Sequence, residues 1–183
     1  MEPPLRTAPG RFRTVNPARP KPMVAHAAVD ETAIVSVSYA VAREGLPSPI
    51  SFGRWVRAAL AGARRRKPAE LAIRIVGARE GRMLNRDYRG KDYATNVLSF
   101  PAELPRGVAL PLLGDLVICA PVVAREARAQ RKPLAQHYAH LTIHGVLHLL
   151  GLDHENAREA SKMEALERRI LAGFGITDPY ADR

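Results

Sequence analysis

Between His144 and His154 the chain reads His144-Gly145-Val146-Leu147-His148-Leu149-Leu150-Gly151-Leu152-Asp153-His154, which sets three of its six histidines at spacings of four and then six residues. No other stretch constrains the fold so tightly. Residues four apart on a helix stand one above the other, so His144 and His148 converge on one point. Gly151 then lets the chain leave the helix through a left-handed turn, which can swing His154 back as a third corner. Three neutral imidazoles with an open fourth position form a catalytic zinc site, whereas structural sites are closed by four protein ligands. A buried helix can carry a lone histidine for packing alone. Three at this spacing, with glycine at the helix exit, predict one zinc ion held by His144, His148 and His154.

The same helix, expected over Leu134–Leu150, brings His137 and His140 onto or near the stripe. His140 lies one turn before His144 and, with Asp153, is a candidate to support the ligands from behind. His137 fits better as a buried histidine bonded to a neighbour. The spacing also resembles the long zinc motif of metzincin peptidases, in which a glutamate directly after the first histidine acts as general base. Gly145 stands at that position and cannot take a proton. Asp153 and Glu155 are the nearest carboxylates, but each adjoins the turn and fits equally as a helix cap. Peptide hydrolysis therefore lacks its central residue.

A chain of 183 residues is long enough for one self-sufficient core. Its only cysteine, Cys119, lies in the apolar run Leu116-Val117-Ile118-Cys119 and reads as a buried strand thiol. One cysteine excludes an internal disulfide framework and fits a reducing compartment. The net charge of +10, from 28 Lys and Arg against 18 Asp and Glu, favours polyanionic partners such as nucleic acid or anionic lipid. No apolar run approaches the roughly 18–20 residues of a membrane helix, and no apolar segment follows the basic N-terminus. A cytoplasmic protein is expected.

Residues 1 to about 30 are rich in Pro, Arg and Ala without periodicity, a composition that cannot offset its own ordering entropy. They are expected to form a flexible basic tail, ahead of a domain over 31–183. The tail reads as an arm for a polyanion, an inert extension with Met23 as the start, or an Arg-rich transit segment. From Ala33, Val35, Val37 and Tyr39 alternate with Ile34, Ser36 and Ser38 as in a strand. Ser51 then reads as the cap of a helix whose Phe52, Trp55, Val56 and Leu60 recur at helical spacing, ending in Arg64-Arg65-Arg66-Lys67. Strands follow at Leu71–Val76, Asn96–Phe100 and Asp115–Cys119, with a short helix over Arg79–Tyr88. Helices are expected at Val122–Gln130, Leu134–Leu150 and Ala157–Phe174. In the last of these, Met163, Leu166 and Ile170 mark the buried stripe, and Glu159, Glu164, Glu167 and Arg168 the wet side. Strands early and helices late predict an α+β fold, with a small mixed four-stranded sheet packed by about five helices.

A second dense stretch, Leu84 to Pro101, interleaves cations, tyrosines and amides ahead of a strand. Such mixtures grip phosphates and stack single-stranded bases. Together the two stretches resemble a known family. The residues that carry the likeness are Leu84-Asn85, Tyr88-Arg89-Gly90-Lys91-Asp92, Thr95-Asn96-Val97-Leu98-Ser99-Phe100-Pro101, Leu113-Gly114-Asp115, the histidine motif, and the closing Asp178-Pro179-Tyr180. They look like the bacterial YbeY family of metal-dependent, single-strand endoribonucleases, which mature ribosomal RNA and serve ribosome quality control. The resemblance runs from about Ile34 to Tyr180. It implies zinc ligands at His144, His148 and His154, and a functional arginine at Arg89. It also implies single-stranded RNA as substrate, with the small ribosomal subunit and a ribosome-associated GTPase as partners. Where the family often has Tyr before the Asp-His pair, this chain has Leu152, which removes a hydroxyl near the metal. A non-catalytic rRNA-binding assembly factor with structural zinc is the alternative from another class, and a zinc peptidase the third.

Overall fold

The computed structural model describes residues 33–181, apart from 106 and 153–156. His154, Asp153 and the tail over 1–30 lie outside the described residues. The strands are β1 (Ala33–Tyr39), β2 (Ala69–Val76), β3 (Val97–Pro101) and β4 (Leu112–Cys119). The helices are α1 (Pro49–Gly62), α2 (Ala78–Arg89), α3 (Ala120–Ala129), α4 (Leu134–Leu149) and α5 (Ala157–Ala172). The sheet order is β1-β2-β4-β3, with β1, β2 and β4 parallel and β3 antiparallel to β4 at one edge. The expected mixed sheet with five helices is thus the architecture found.

Alternation along the strands divides the apolar residues between two layers. Val35, Val37, Leu71, Ile73, Ile75, Leu116 and Ile118 face the main core, where α1, α4 and α5 supply Phe52, Val56, Tyr138, Ile143, Leu147 and Leu171. Val76, Leu98, Val117 and Cys119 face the other side, against Val122 and Leu84. Cys119 is the buried strand thiol that its apolar surroundings predict.

Local chemistry moves several element ends from where periodicity alone put them. The α1 cap is Ser48, whose Oγ accepts the Ser51 N–H at 3.2 Å, with Pro49 as the first helical residue. Proline needs no donor there, so the cap falls at Ser48, three residues before the expected Ser51. The helix also ends at Gly62, so Arg64 to Lys67 lie beyond it. Pro121 sits inside the first turn of α3, for the same reason as Pro49. Pro101 closes β3 from within the strand, which an edge position tolerates.

Candidate metal centre and cleft

Helix α4 is buried nearly all round. From His137 to Leu149, only His140, His144 and His148 reach solvent, one per turn along a single line. The helix is held tight to the sheet at Gly145. A Cβ there would lie 2.8 Å from Leu116 Cδ2, and the Gly145 carbonyl accepts the Ser99 hydroxyl at 3.3 Å. The residue that departs from the peptidase motif is therefore a packing glycine, with no room for a glutamate. At the helix exit Gly151 adopts φ +79° and donates to the His148 carbonyl, while the Leu152 N–H reaches the Leu147 carbonyl. This is the left-handed exit expected of Gly151. Leu152, where the family often has tyrosine, packs on the core.

Helix α5 supplies a residue that periodicity misplaced. Glu167, assigned to its wet side, is fully buried. It lies four residues after Met163 and three before Ile170, so it occupies the buried stripe itself. Its Oε1 is 2.7 Å from His144 Nδ1, and its Oε2 lies 3.5 Å from His140 Nε2 and accepts from the Tyr180 hydroxyl. Burial pushes the Glu167 carboxyl up, but the hydrogen bonds from His140, His144 and Tyr180 outweigh it and hold the pKa at about 2. The carboxylate can only accept, so His144 donates from Nδ1, and in the neutral ring the lone pair is then on Nε2. Burial lowers the pKa of His140, which is neutral near pH 7. His140 Nε2 also lies 3.2 Å from the Tyr180 hydroxyl.

His144 Nε2 lies 3.1 Å from His148 Nε2. Two nitrogens on one tetrahedral zinc, with bonds of about 2.0–2.1 Å, would sit about 3.3 Å apart, so the pair fits the ion expected of it. His140, His144 and Glu167 also place one ligand atom each within 4.8 Å of one another, close enough to hold a metal. In that grouping Glu167 would have to release donors it already accepts without access to water. We therefore read Glu167 as the carboxylate that orients His144, an arrangement common behind metal-bound histidine.

Arg89, the last residue of α2, is brought to the same place. A cleft of about 270 Å³ is lined by Arg89, Thr95, Asn96, Ser99, His144 and His148. Along α2, Arg82 pairs with Asp92 at 2.6 Å and Arg86 with Asp87 at 3.0 Å. The Arg89 side chain has no hydrogen-bond or ion-pair partner among the described residues, so its donors remain available. Its turn is fixed from below: buried Asn85 donates through Nδ2 to the Tyr93 carbonyl at 2.7 Å, and Gly90 caps the helix in the left-handed region.

Asn96 is locked on the cleft floor. Its Oδ1 accepts the Val97 N–H at 2.7 Å, and its amide donates to Glu126, which His137 Nε2 meets at 2.9 Å. Burial raises the Glu126 carboxyl, yet the bonds from His137 and Asn96 leave it below the usual range. His137 is the neighbour-bonded buried histidine that was expected.

A family model described as Endoribonuclease YbeY matches residues 49–175. The chain belongs to this family. It is 68% identical over 151 residues to "Endoribonuclease YbeY" from Stenotrophomonas maltophilia (strain K279a), covering 80% of this chain and 92% of the relative. The Endoribonuclease YbeY of Xanthomonas axonopodis pv. citri (strain 306) is 66% identical over the same coverage. Among solved structures, the solution structure of TM1509 from Thermotoga maritima is similar with a TM-score of 0.51 and 20% identity. That likeness covers 80% of this chain and 99% of that one, and it speaks for the fold alone. No helix of the described residues is long and apolar enough to cross a membrane.

Proposed function

We propose that the chain is a metal-dependent endoribonuclease that cuts single-stranded RNA in ribosomal RNA maturation and ribosome quality control. The observation that carries this is the pair His144 Nε2 and His148 Nε2, 3.1 Å apart on the wall of a cleft that Arg89 also lines, in a chain of this family. His144, His148 and His154 would hold one zinc ion, leaving the protein to supply three ligands. His140 and Asp153 are the candidates to support the ligands, and Glu167, bonded to His144, joins them. Zinc held there supplies charge to polarise a phosphoryl oxygen and to acidify water. Glu167 fixes the His144 ring and keeps its Nε2 side turned toward His148. Arg89 holds the scissile phosphate and stabilises the charge that builds on it. Glu167 is closed off and engaged by three donors, so it is not the proton acceptor, and no other carboxylate is assigned that role.

The substrate is ribosomal RNA, met in the cytoplasm on the small ribosomal subunit with a ribosome-associated GTPase as partner. The catalytic domain spans 31–183, and residues 1–30 add a basic arm. Cleavage of a single-stranded RNA by wild type, His148→Ala and Arg89→Glu tests the reading. Loss of about 10²–10³-fold is expected for each variant. A His148→Ala protein that cuts as well as wild type would place the activity elsewhere.

A further inference from the structure

The cleft does not end at the histidines. Past Asn96 and His144 it opens into a hollow of about 230 Å³ bounded by His140 and Tyr180. Asn96 and His140 then also line a wider hollow of about 690 Å³, whose far rim carries Gln130, Arg131 and Lys132. The three hollows adjoin through shared lining residues, Asn96 lining all of them, with Arg89 on the first and Arg131 on the last. Lys132 is committed, since its Nζ donates to the Pro179 carbonyl at 2.9 Å. Arg131 is exposed, and its side chain has no hydrogen-bond or ion-pair partner among the described residues.

The backbone at Arg131 adds a second observation. The residue sits at φ +52°, and the N–H groups of Arg131 and Lys132 close the end of α3 onto the carbonyls of Arg128 and Ala127. Glycine is the ordinary occupant of that position, because a Cβ disfavours the left-handed region. An arginine there keeps a cation on the groove rim against backbone preference.

We propose that Arg131 binds a second backbone phosphate of the RNA strand whose scissile phosphate lies at Arg89, so that the strand is gripped on both sides of the metal centre. This rests on the endoribonuclease reading of the groove. A flexible single strand can follow the groove past Asn96, and a guanidinium on the rim matches phosphate geometry.

Arg64 supplies a matched control. It is also exposed, also ends a helix, and sits at φ +57°, but it lines none of the three hollows. Arg64→Gly and Arg131→Gly each remove one charge and relieve the same backbone strain. The full-length protein and both variants would be titrated with an uncleavable 2′-O-methyl RNA strand over a range of salt concentrations. Arg131→Gly is expected to bind several-fold more weakly, with the slope of log Kd against log salt smaller by about 0.7, as for one lost single-strand phosphate contact. Arg64→Gly is expected to match wild type. Equal weakening in both variants would mean a diffuse charge effect and would overturn the proposal, as would unchanged binding by Arg131→Gly. A wild-type protein that binds no RNA would sink this proposal and the endoribonuclease reading together. One that binds and cuts normally, with Arg131→Gly unaffected, would sink this proposal alone.

Discussion

Glu167 on α5 accepts a hydrogen bond from His144 Nδ1 on α4 at 2.7 Å, in a position closed to solvent. That contact sets which nitrogen of His144 faces the cleft. Glu167→Gln presents an amide that can turn its N–H toward the ring and favour the opposite tautomer. Metal affinity should then fall about 10–100-fold with the fold retained. Competition against a chromogenic chelator measures it, and an unchanged affinity would remove Glu167 from the metal centre.

Gly145→Ala should destabilise through crowding. Its new Cβ would press on Leu116 Cδ2 in the fully buried core, and overpacking of this kind costs about 1–3 kcal/mol. Urea denaturation gives the value. The corresponding Gly145→Glu should fail to gain peptidase activity, because the position faces the sheet.

Gly151→Ala meets nothing within 4 Å, so crowding plays no part there. At φ +79° the cost is conformational, about 1 kcal/mol, and falls on the turn leading toward His154. A modest loss of melting temperature with a clear loss of metal affinity is expected. A loss of stability alone would separate the turn from the metal site.

Asn85→Ala removes the buried amide that holds the Tyr93 carbonyl, at a cost of about 1–3 kcal/mol. The turn carrying Arg89 should loosen. RNA cleavage is expected to fall while zinc content, measured by mass spectrometry on the same samples, stays at the wild-type level.

Burial raises the Cys119 thiol above its ordinary pKa. The folded protein should therefore resist iodoacetamide at pH 8 and react once unfolded. The folded value lies above the unfolded one, so the contribution to stability is whole below the unfolded pKa. It is lost as pH rises through the raised value. Thermal melts between pH 8 and pH 10 should show that decline, and a Cys119→Ala protein should lack it.

How far these features can be read from sequence depends on the range of the interaction that makes them. The His144 and His148 pairing and the Gly151 exit are local, set by helical geometry over a few residues, and both were legible. So was the strand alternation of Val35, Val37 and Tyr39. The Ser48 cap was obscured because Ser51 also precedes apolar residues, and only Pro49 distinguishes them. Glu167 was misplaced because its charge argued for solvent while its position argued for burial. Its partners His140, His144 and Tyr180 come from other segments, so the pairing that makes burial tolerable is tertiary. The same holds for Glu126 with Asn96 and His137. The period of three and four through Met163, Glu167 and Ile170 was the available signal.

Arg89 reaches the cleft from α2, ahead of strand β3, while the histidines reach it from α4, well beyond that strand. On the proposed reading, the two halves of the chemistry have separate supports: Asn85 and Gly90 under one, Glu167 and Gly145 under the other. Substrate grip and metal retention become traits that can drift independently. A lineage could retune which RNA it prefers through α2 without endangering the ion, or exchange one ion for another through α5 without relearning its substrate.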